Sequence, residues 1–170
     1  MNATRKALII DAINQLRPVH GYDLVPVNLI LAQSALETGH WTSNLIETVN
    51  NAFGMKHPRV RPTTSAGATS AGFAIYPDLC NSVEDYLLRQ KNYRIPNTAN
   101  PVDYITATVN SGYAEDPDYA KKWYSLYNQF QGTTVPPGPF PPEQPHNNSA
   151  NQTAFIFGIA ALAVYYLMRK

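Results

Sequence analysis

Glu37 lies in the stretch LAQSALETGHW (Leu31 to Trp41), a carboxylate at the end of a run of apolar and small residues. Read as a helix, that run places Glu37 in the last turn, where the backbone dipole is negative and a charged carboxylate is disfavoured. Partial burial against the same helix acts in the same direction, because desolvation penalises the ionised form. Both effects raise the pKa. A carboxylic acid still protonated near neutral pH can deliver its proton to a leaving oxygen, as glycosidic bond cleavage requires of a general acid. Position alone does not decide the matter, since a glutamate at a helix end also fits a solvated surface site.

Other residues could serve the same chemistry. Asn50, Asn51, Phe53 and Gly54, in the stretch NNAFG, offer amide groups that suit the acetamido and hydroxyl groups of a sugar, yet Asn and Gly are also ordinary turn residues. Trp41, Tyr76, Tyr93 and Tyr113 present flat apolar faces for sugar rings or for a core, and Trp41 and Tyr113 are expected to face a cleft. His20, His40, His57 and His146 lie in unrelated contexts, so no metal-ligand cluster or cofactor is expected. No glycine-rich phosphate loop or local Ser-His-Asp signature occurs. Cys80, the one cysteine, rules out an internal disulfide and is expected to be a small buried hydrophobe.

These residues need elements to hold them. A chain of 170 residues with 44% apolar and 15% charged content fits one globular domain plus appendages. The net charge of +1 gives no broad basic field, which argues against nucleic acid as a partner. Leu8, Ile9, Ala12, Ile13 and Leu16 fall on one helical face, ending near Pro18. Residues 26–38 are apolar on nearly every side and predict a central buried helix. Asn81 and Ser82 followed by Glu84 and Asp85 predict a capping box opening a third helix with Val83, Tyr86 and Leu87 inward. A fourth helix is expected over 101–111, with Val102, Ile105 and Val109 inward, and a fifth after an Asp116 N-cap, with Tyr119, Trp123, Leu126, Tyr127 and Phe130 on one face. Between Phe53 and Tyr76, FGMKH and GFAIY read as two strands of a β-hairpin, and PTTSAGATSAG between them reads as a mobile tip too small and polar to pack.

Past Gly132 the composition changes. Residues 133–152 form a proline-rich, extended linker. Residues 153–168, TAFIFGIAALAVYYLM, are uncharged and precede Arg169 and Lys170. As a helix they would span roughly 24 Å, slightly under a hydrocarbon core of about 30 Å, and they are expected to form a short transmembrane helix. The first residues, with only Ala7 to Ile10 as an apolar run, lack the hydrophobic region of a secretory signal.

Four pieces, AQSALETGHWTSNLI, NNAFGMK, FAIYPDLCNSVEDYLL and SGYAEDPDYAKKWYSLY, occur in an order and at spacings that resemble the glucosaminidase-type peptidoglycan hydrolases, glycoside hydrolase family 73, over about residues 27–130. The resemblance implies a predominantly helical α+β, lysozyme-like fold with a small β-hairpin lobe over residues 1–132. It implies cleavage of the β-1,4 bond on the N-acetylglucosamine side of bacterial cell-wall glycan. It also implies Glu37 and Tyr113 as catalytic residues, and Trp41, Asn50, Asn51, Phe53, Gly54, Tyr76 and Tyr119 are expected to bind substrate. Members commonly carry a second acid in the hairpin lobe, whereas residues 57–77 here contain no Asp or Glu. Glu47, Asp78 and Asp116 are the nearest candidates by sequence, each with an ordinary alternative role. The scheme expected is therefore Glu37 as acid and then base, with attack by the substrate's own 2-acetamido oxygen assisted by Tyr113. A muramidase or lytic transglycosylase of the same fold, or a catalytically silent wall-binding virion protein, is the alternative. Peptidoglycan, a lipid membrane held through the C-terminal helix and phage capsid proteins are the partners expected. The location expected is a virion or host membrane, in a phage enzyme carried for entry, with a bacterial surface autolysin or a phage lysis enzyme as the rival.

Overall fold

A computed structural model of the chain describes residues 2–131. The expected linker and the apolar stretch 153–168 lie outside the described residues, among which no helix is long and apolar enough to cross a membrane. Six helices and one two-stranded sheet follow in the order α1 (Asn2–Val19), α2 (Val27–Thr38), α3 (Asn44–Val49), β1 (Gly67–Ala68), β2 (Ala74–Ile75), α4 (Leu79–Asn92), α5 (Pro101–Asn110) and α6 (Tyr119–Phe130).

Helix α2 is the centre of the fold because its sequence leaves no polar face: Leu29 to Ala35 are all buried, Gln33 and Ser34 included. It packs against α6 and α1, while α4 packs on α1 and α5 on α6. The largest buried side chain, Trp123 of α6, ties the central pair together by donating its ring N–H to Leu29 O at 2.8 Å. Helices α4 and α5 meet through a buried polar cluster in which the Tyr86 and Tyr104 hydroxyls lie 2.9 Å apart and Gln90 Nε2 reaches both, at 3.0 Å each. Such a cluster is tolerated in a core only when its members are paired, as here. Leu8 departs from the expected face, at 52% exposed, because the α1 stripe is centred on Ile9, Ala12 and Ile13.

Several starts and caps are corrected. Helix α4 begins at Leu79, earlier than the expected box, since Asp78 is the N-cap and its carboxylate accepts from Asn81 N at 2.8 Å. That earlier start turns Cys80 outward, so it is exposed rather than buried. Asp116 accepts from Asp118 N at 2.9 Å and so closes a turn leading into α6, which itself starts at Tyr119. The short α3 had no signal of its own at six residues.

The hairpin lobe is also built differently from the expectation. Lys56 bridges Phe73, and His57 N donates to Gly72 O at 3.0 Å, so FGMKH and GFAIY do meet. The segment between them folds back: Gly67 and Ala68 pair with Ile75 and Ala74, and a turn closes through Gly72 N to Thr69 O at 2.8 Å. Part of the expected mobile tip is thus strand β1, because its small side chains let the backbone supply the contact. Arg61 anchors the intervening loop to α4, donating to Asp85 Oδ1 at 2.7 Å and Oδ2 at 2.9 Å, while Tyr76 donates to Oδ2 at 2.7 Å. Burial pushes the Asp85 carboxyl up, but the bonds from Arg61, Tyr76 and Thr63 outweigh it and hold the carboxyl below the usual range.

Candidate active site

The site begins at the C-terminal end of α2. Gly39 closes the helix in the left-handed conformation with its N–H on Ala35 O, and His40 and Trp41 follow at φ of 57° and 64°. Left-handed backbone costs a non-glycine residue about 1–2 kcal/mol, so something must hold it. Trp41 does: its ring N–H bonds Ser34 Oγ at 3.2 Å, its backbone N–H bonds Thr38 Oγ1 at 3.0 Å, and its ring stacks on Phe130 with centroids 6.2 Å apart. Trp41 is 5% exposed and absent from the pocket around Glu37, so the expectation that it faces a cleft is corrected. Trp41→Ala is therefore expected to cost about 3–5 kcal/mol of stability, seen as a lower Tm, while KM of the folded fraction stays unchanged. A raised KM at unchanged Tm would return Trp41 to the substrate.

Glu37, one turn before that plug, points at the hairpin lobe. Its Oε1 accepts from the Tyr119 hydroxyl, which in turn accepts from Gln33 Nε2 at 3.1 Å. Its Oε2 lies against Gly54: a Cβ on that glycine would stand 2.7 Å from Oε2, and the backbone there has φ of 61°. Desolvation pushes the Glu37 carboxyl up, and the Tyr119 bond partly offsets it. Burial, then the nearby Glu37 charge, pushes the Tyr113 and Tyr119 hydroxyls well up, so both stay protonated donors. Tyr119→Phe removes the one bond that favours ionised Glu37. The alkaline limb of the activity profile is expected to move to higher pH in that variant, and a limb that moved down would contradict this assignment.

Gly54 is held in place from below. Asn51 is fully buried, with Nδ2 on Met55 O at 2.8 Å and Ala74 O at 3.0 Å and Oδ1 accepting from Met55 N at 3.1 Å. Asn50 caps α3 at φ of 54° and donates to Tyr76 O at 3.1 Å. Both amides are occupied in shaping the loop, and Tyr76 is occupied by Asp85, so none of the three is in the pocket lining. Phe53, Gly54 and Tyr113 are in it. The Tyr113 hydroxyl donates to Phe53 O at 2.7 Å, fastening the Gly54 loop to the helical lobe. Tyr119, 6% exposed, lies behind the lining, where it touches Glu37 instead of open space.

The pocket has a volume of about 300 Å³, and among the described residues Glu37 is the one carboxylate in its lining. Glu47 pairs with Arg5, Asp116 with Lys122, and Asp78 caps α4, which leaves the three sequence candidates for a second acid elsewhere. Lys56, His57, Arg61 and Arg89 also line it. Arg89 was not anticipated: its guanidinium sits 4.4 Å from the Tyr93 ring centre and 4.5 Å from that of Tyr113, packed between two aromatic faces. The only hint in the sequence is its place in a helix whose neighbouring positions are apolar or, like Gln90, buried polar. Tyr93, 50% exposed at the rim, is the pocket aromatic that presents an open face.

Comparison with known proteins identifies the family. Residues 18–132 match the glucosaminidase family, described as mannosyl-glycoprotein endo-beta-N-acetylglucosaminidase. The chain is similar to the peptidoglycan hydrolase FlgJ of Salmonella typhimurium, 34% identical over 128 residues covering 63% of this chain and 40% of that protein. FlgJ of Pseudomonas aeruginosa is 31% identical over 129 residues, covering 63% of this chain and 32% of its own. The chain thus spans less than half the length of the curated relatives it matches. The solved glycoside hydrolase domain of Salmonella typhimurium FlgJ superposes with a TM-score of 0.56 at 27% identity, covering 78% of this chain and 89% of that one. The catalytic domain of the autolysin Auto from Listeria monocytogenes shares the fold, with a TM-score of 0.58 at 24% identity over 76% of this chain and 84% of that one. The fold is accordingly the helix-rich α+β, lysozyme-like fold with a small hairpin. With the match running over 18–132 of its 170 residues, the chain belongs to the glucosaminidase family of glycoside hydrolases.

Proposed function

We propose that this chain hydrolyses bacterial peptidoglycan as an endo-β-N-acetylglucosaminidase, with Glu37 protonating the glycosidic oxygen. The observation that carries the reading is the placement of Glu37: the one carboxylate among the described residues that line the pocket, held between the Tyr119 hydroxyl and Gly54, with its pKa raised by desolvation. Those are the conditions of a general acid, which must keep its proton until the leaving oxygen needs it. The naming of the FlgJ relatives as peptidoglycan hydrolases supports the same substrate. Lys56 and Arg89 in the lining suit a polymer whose stem peptides carry carboxylates.

The test is mass spectrometry of borohydride-reduced fragments after full-length chain digests purified peptidoglycan. Reduced N-acetylglucosamine ends are the expected product. Reduced muramic ends would instead make it a muramidase, and anhydro-muramic ends a lytic transglycosylase. A folded chain that cuts no wall preparation would favour a wall-binding structural protein.

Our reading of the cellular setting is a membrane-tethered phage enzyme, carried in the virion or acting at lysis. The membrane tether in that reading is supported by the uncharged stretch 153–168, the basic pair after it and the proline-rich reach before it. Detecting the chain in purified virions would support the virion role, and finding it only in host membranes would remove that role.

A further inference from the structure

We infer that His57 is the second proton-transfer group of this site, its Nε2 taking the proton of the water that attacks the anomeric carbon. The inference rests on the glycosidase reading above and concerns its missing partner. An acid that protonates the leaving oxygen completes only half of a displacement; in inverting enzymes a base must activate water on the opposite face of the sugar. Among the described residues no second carboxylate lines the pocket, but His57 does.

The bonds around His57 decide which ring nitrogen is available. Nδ1 lies 3.0 Å from Ser65 Oγ. That hydroxyl has one proton and two carbonyl oxygens within reach, Gly67 O at 2.8 Å and Ile75 O at 3.2 Å. Ile75 O already accepts from Ala66 N at 2.9 Å, so we assign the Ser65 proton to Gly67 O, the shorter contact, which leaves the Ser65 oxygen to accept from Gly67 N at 3.3 Å and from His57 Nδ1. A neutral imidazole with its hydrogen on Nδ1 has a bare lone pair on Nε2. Nε2 has no hydrogen-bond partner among the described residues, and the ring is half-buried. The base of the side chain is fixed as well, since His57 N bonds Gly72 O at 3.0 Å next to the Lys56–Phe73 bridge. Ser65 thus does for His57 what an orienting partner does for any general base: it sets the tautomer and the aim.

The step balances as follows. A water O–H bond breaks and its proton goes to Nε2. The water oxygen bonds the anomeric carbon, the bond from that carbon to the leaving oxygen breaks, and the Glu37 proton goes to that oxygen. Carboxylate and imidazolium then return to their starting states by proton exchange with solvent. Because the water enters opposite the leaving group, a β-linkage yields an α-anomer. Attack by the 2-acetamido oxygen followed by water would instead return the β-anomer.

Proton NMR of freshly cleaved glycan, using the full chain, reads the anomer directly. The α-anomer is expected; a β-anomer from an active chain overturns the inference and leaves the glycosidase reading intact. His57→Ala is expected to lower kcat about 10²–10³-fold at a little-changed Tm. Sodium azide, a nucleophile that needs no base, should restore bond cleavage and give the α-glycosyl azide. Full activity of folded His57→Ala, or lost activity that azide does not restore, overturns the assignment. Should Ala disturb the hairpin, His57→Gln retains a donor toward Ser65 and must show the same kcat loss. Wild-type chain that cuts no glycan would remove the glycosidase reading and this inference with it.

Discussion

Glu37→Gln is expected to lower kcat by about 10³-fold or more, toward the upper part of the range for removing a general acid, with little change in KM. Glutamine matches the shape of the side chain and can still accept from Tyr119 through its amide oxygen, but it has no acidic proton. The same variant is expected to be more stable than wild type at neutral pH. The sign follows from linkage: the folded-state pKa of Glu37 is raised by desolvation above its unfolded value. Its favourable contribution is therefore complete below the unfolded pKa and is lost as pH rises through the folded one. The Tm advantage of Gln should be smallest in acid and grow through that window. A variant that loses activity and stability together at neutral pH would mark Glu37 as a structural residue.

Gly54→Ala is expected to cost activity as well, to a smaller extent and for a steric reason. The added methyl would sit 2.7 Å from Glu37 Oε2, closer than van der Waals contact permits, at a backbone φ of 61° that alanine resists. The loop cannot simply retreat, because Asn51 holds Met55 from one side and Tyr113 holds Phe53 O at 2.7 Å. The carboxylate must rotate away, and a displacement of about 1 Å at a reacting group costs on the order of 10²-fold in rate. Kinetics with a crystal structure of the variant would check both parts. Near wild-type kcat with Glu37 unmoved would show that the close approach has no role.

How much of this was legible in the sequence differs by element. The central helix was clear because Leu29 to Ala35 leave it no polar face, a pattern only burial satisfies. Glu37 was legible as an anomaly of charge at the end of that helix. Aromatic residues were not legible, since Trp41, Tyr76 and Tyr119 have the same composition signature in a cleft or in a core. What separates them is a partner distant in sequence: Phe130 for Trp41, Asp85 for Tyr76, Glu37 itself for Tyr119. NNAFG was read for its amides, whereas its contribution is backbone shape, with Gly54 supplying the space for a carboxylate 17 positions earlier in the chain. His57 was missed because its value lies in a bond to Ser65, on a segment that composition marked as a mobile tip.

The central claim is that burial holds the Glu37 carboxyl above the ordinary glutamate range, and carbon-13 NMR titration of the side-chain carboxyl of Glu37, assigned by comparison with Glu37→Gln, measures that directly. The account predicts a midpoint clearly above the ordinary glutamate value of about 4.3, moving higher still in Tyr119→Phe. A midpoint at or below that ordinary value would mean that Glu37 is ionised throughout the working range, and the general-acid role would be contradicted.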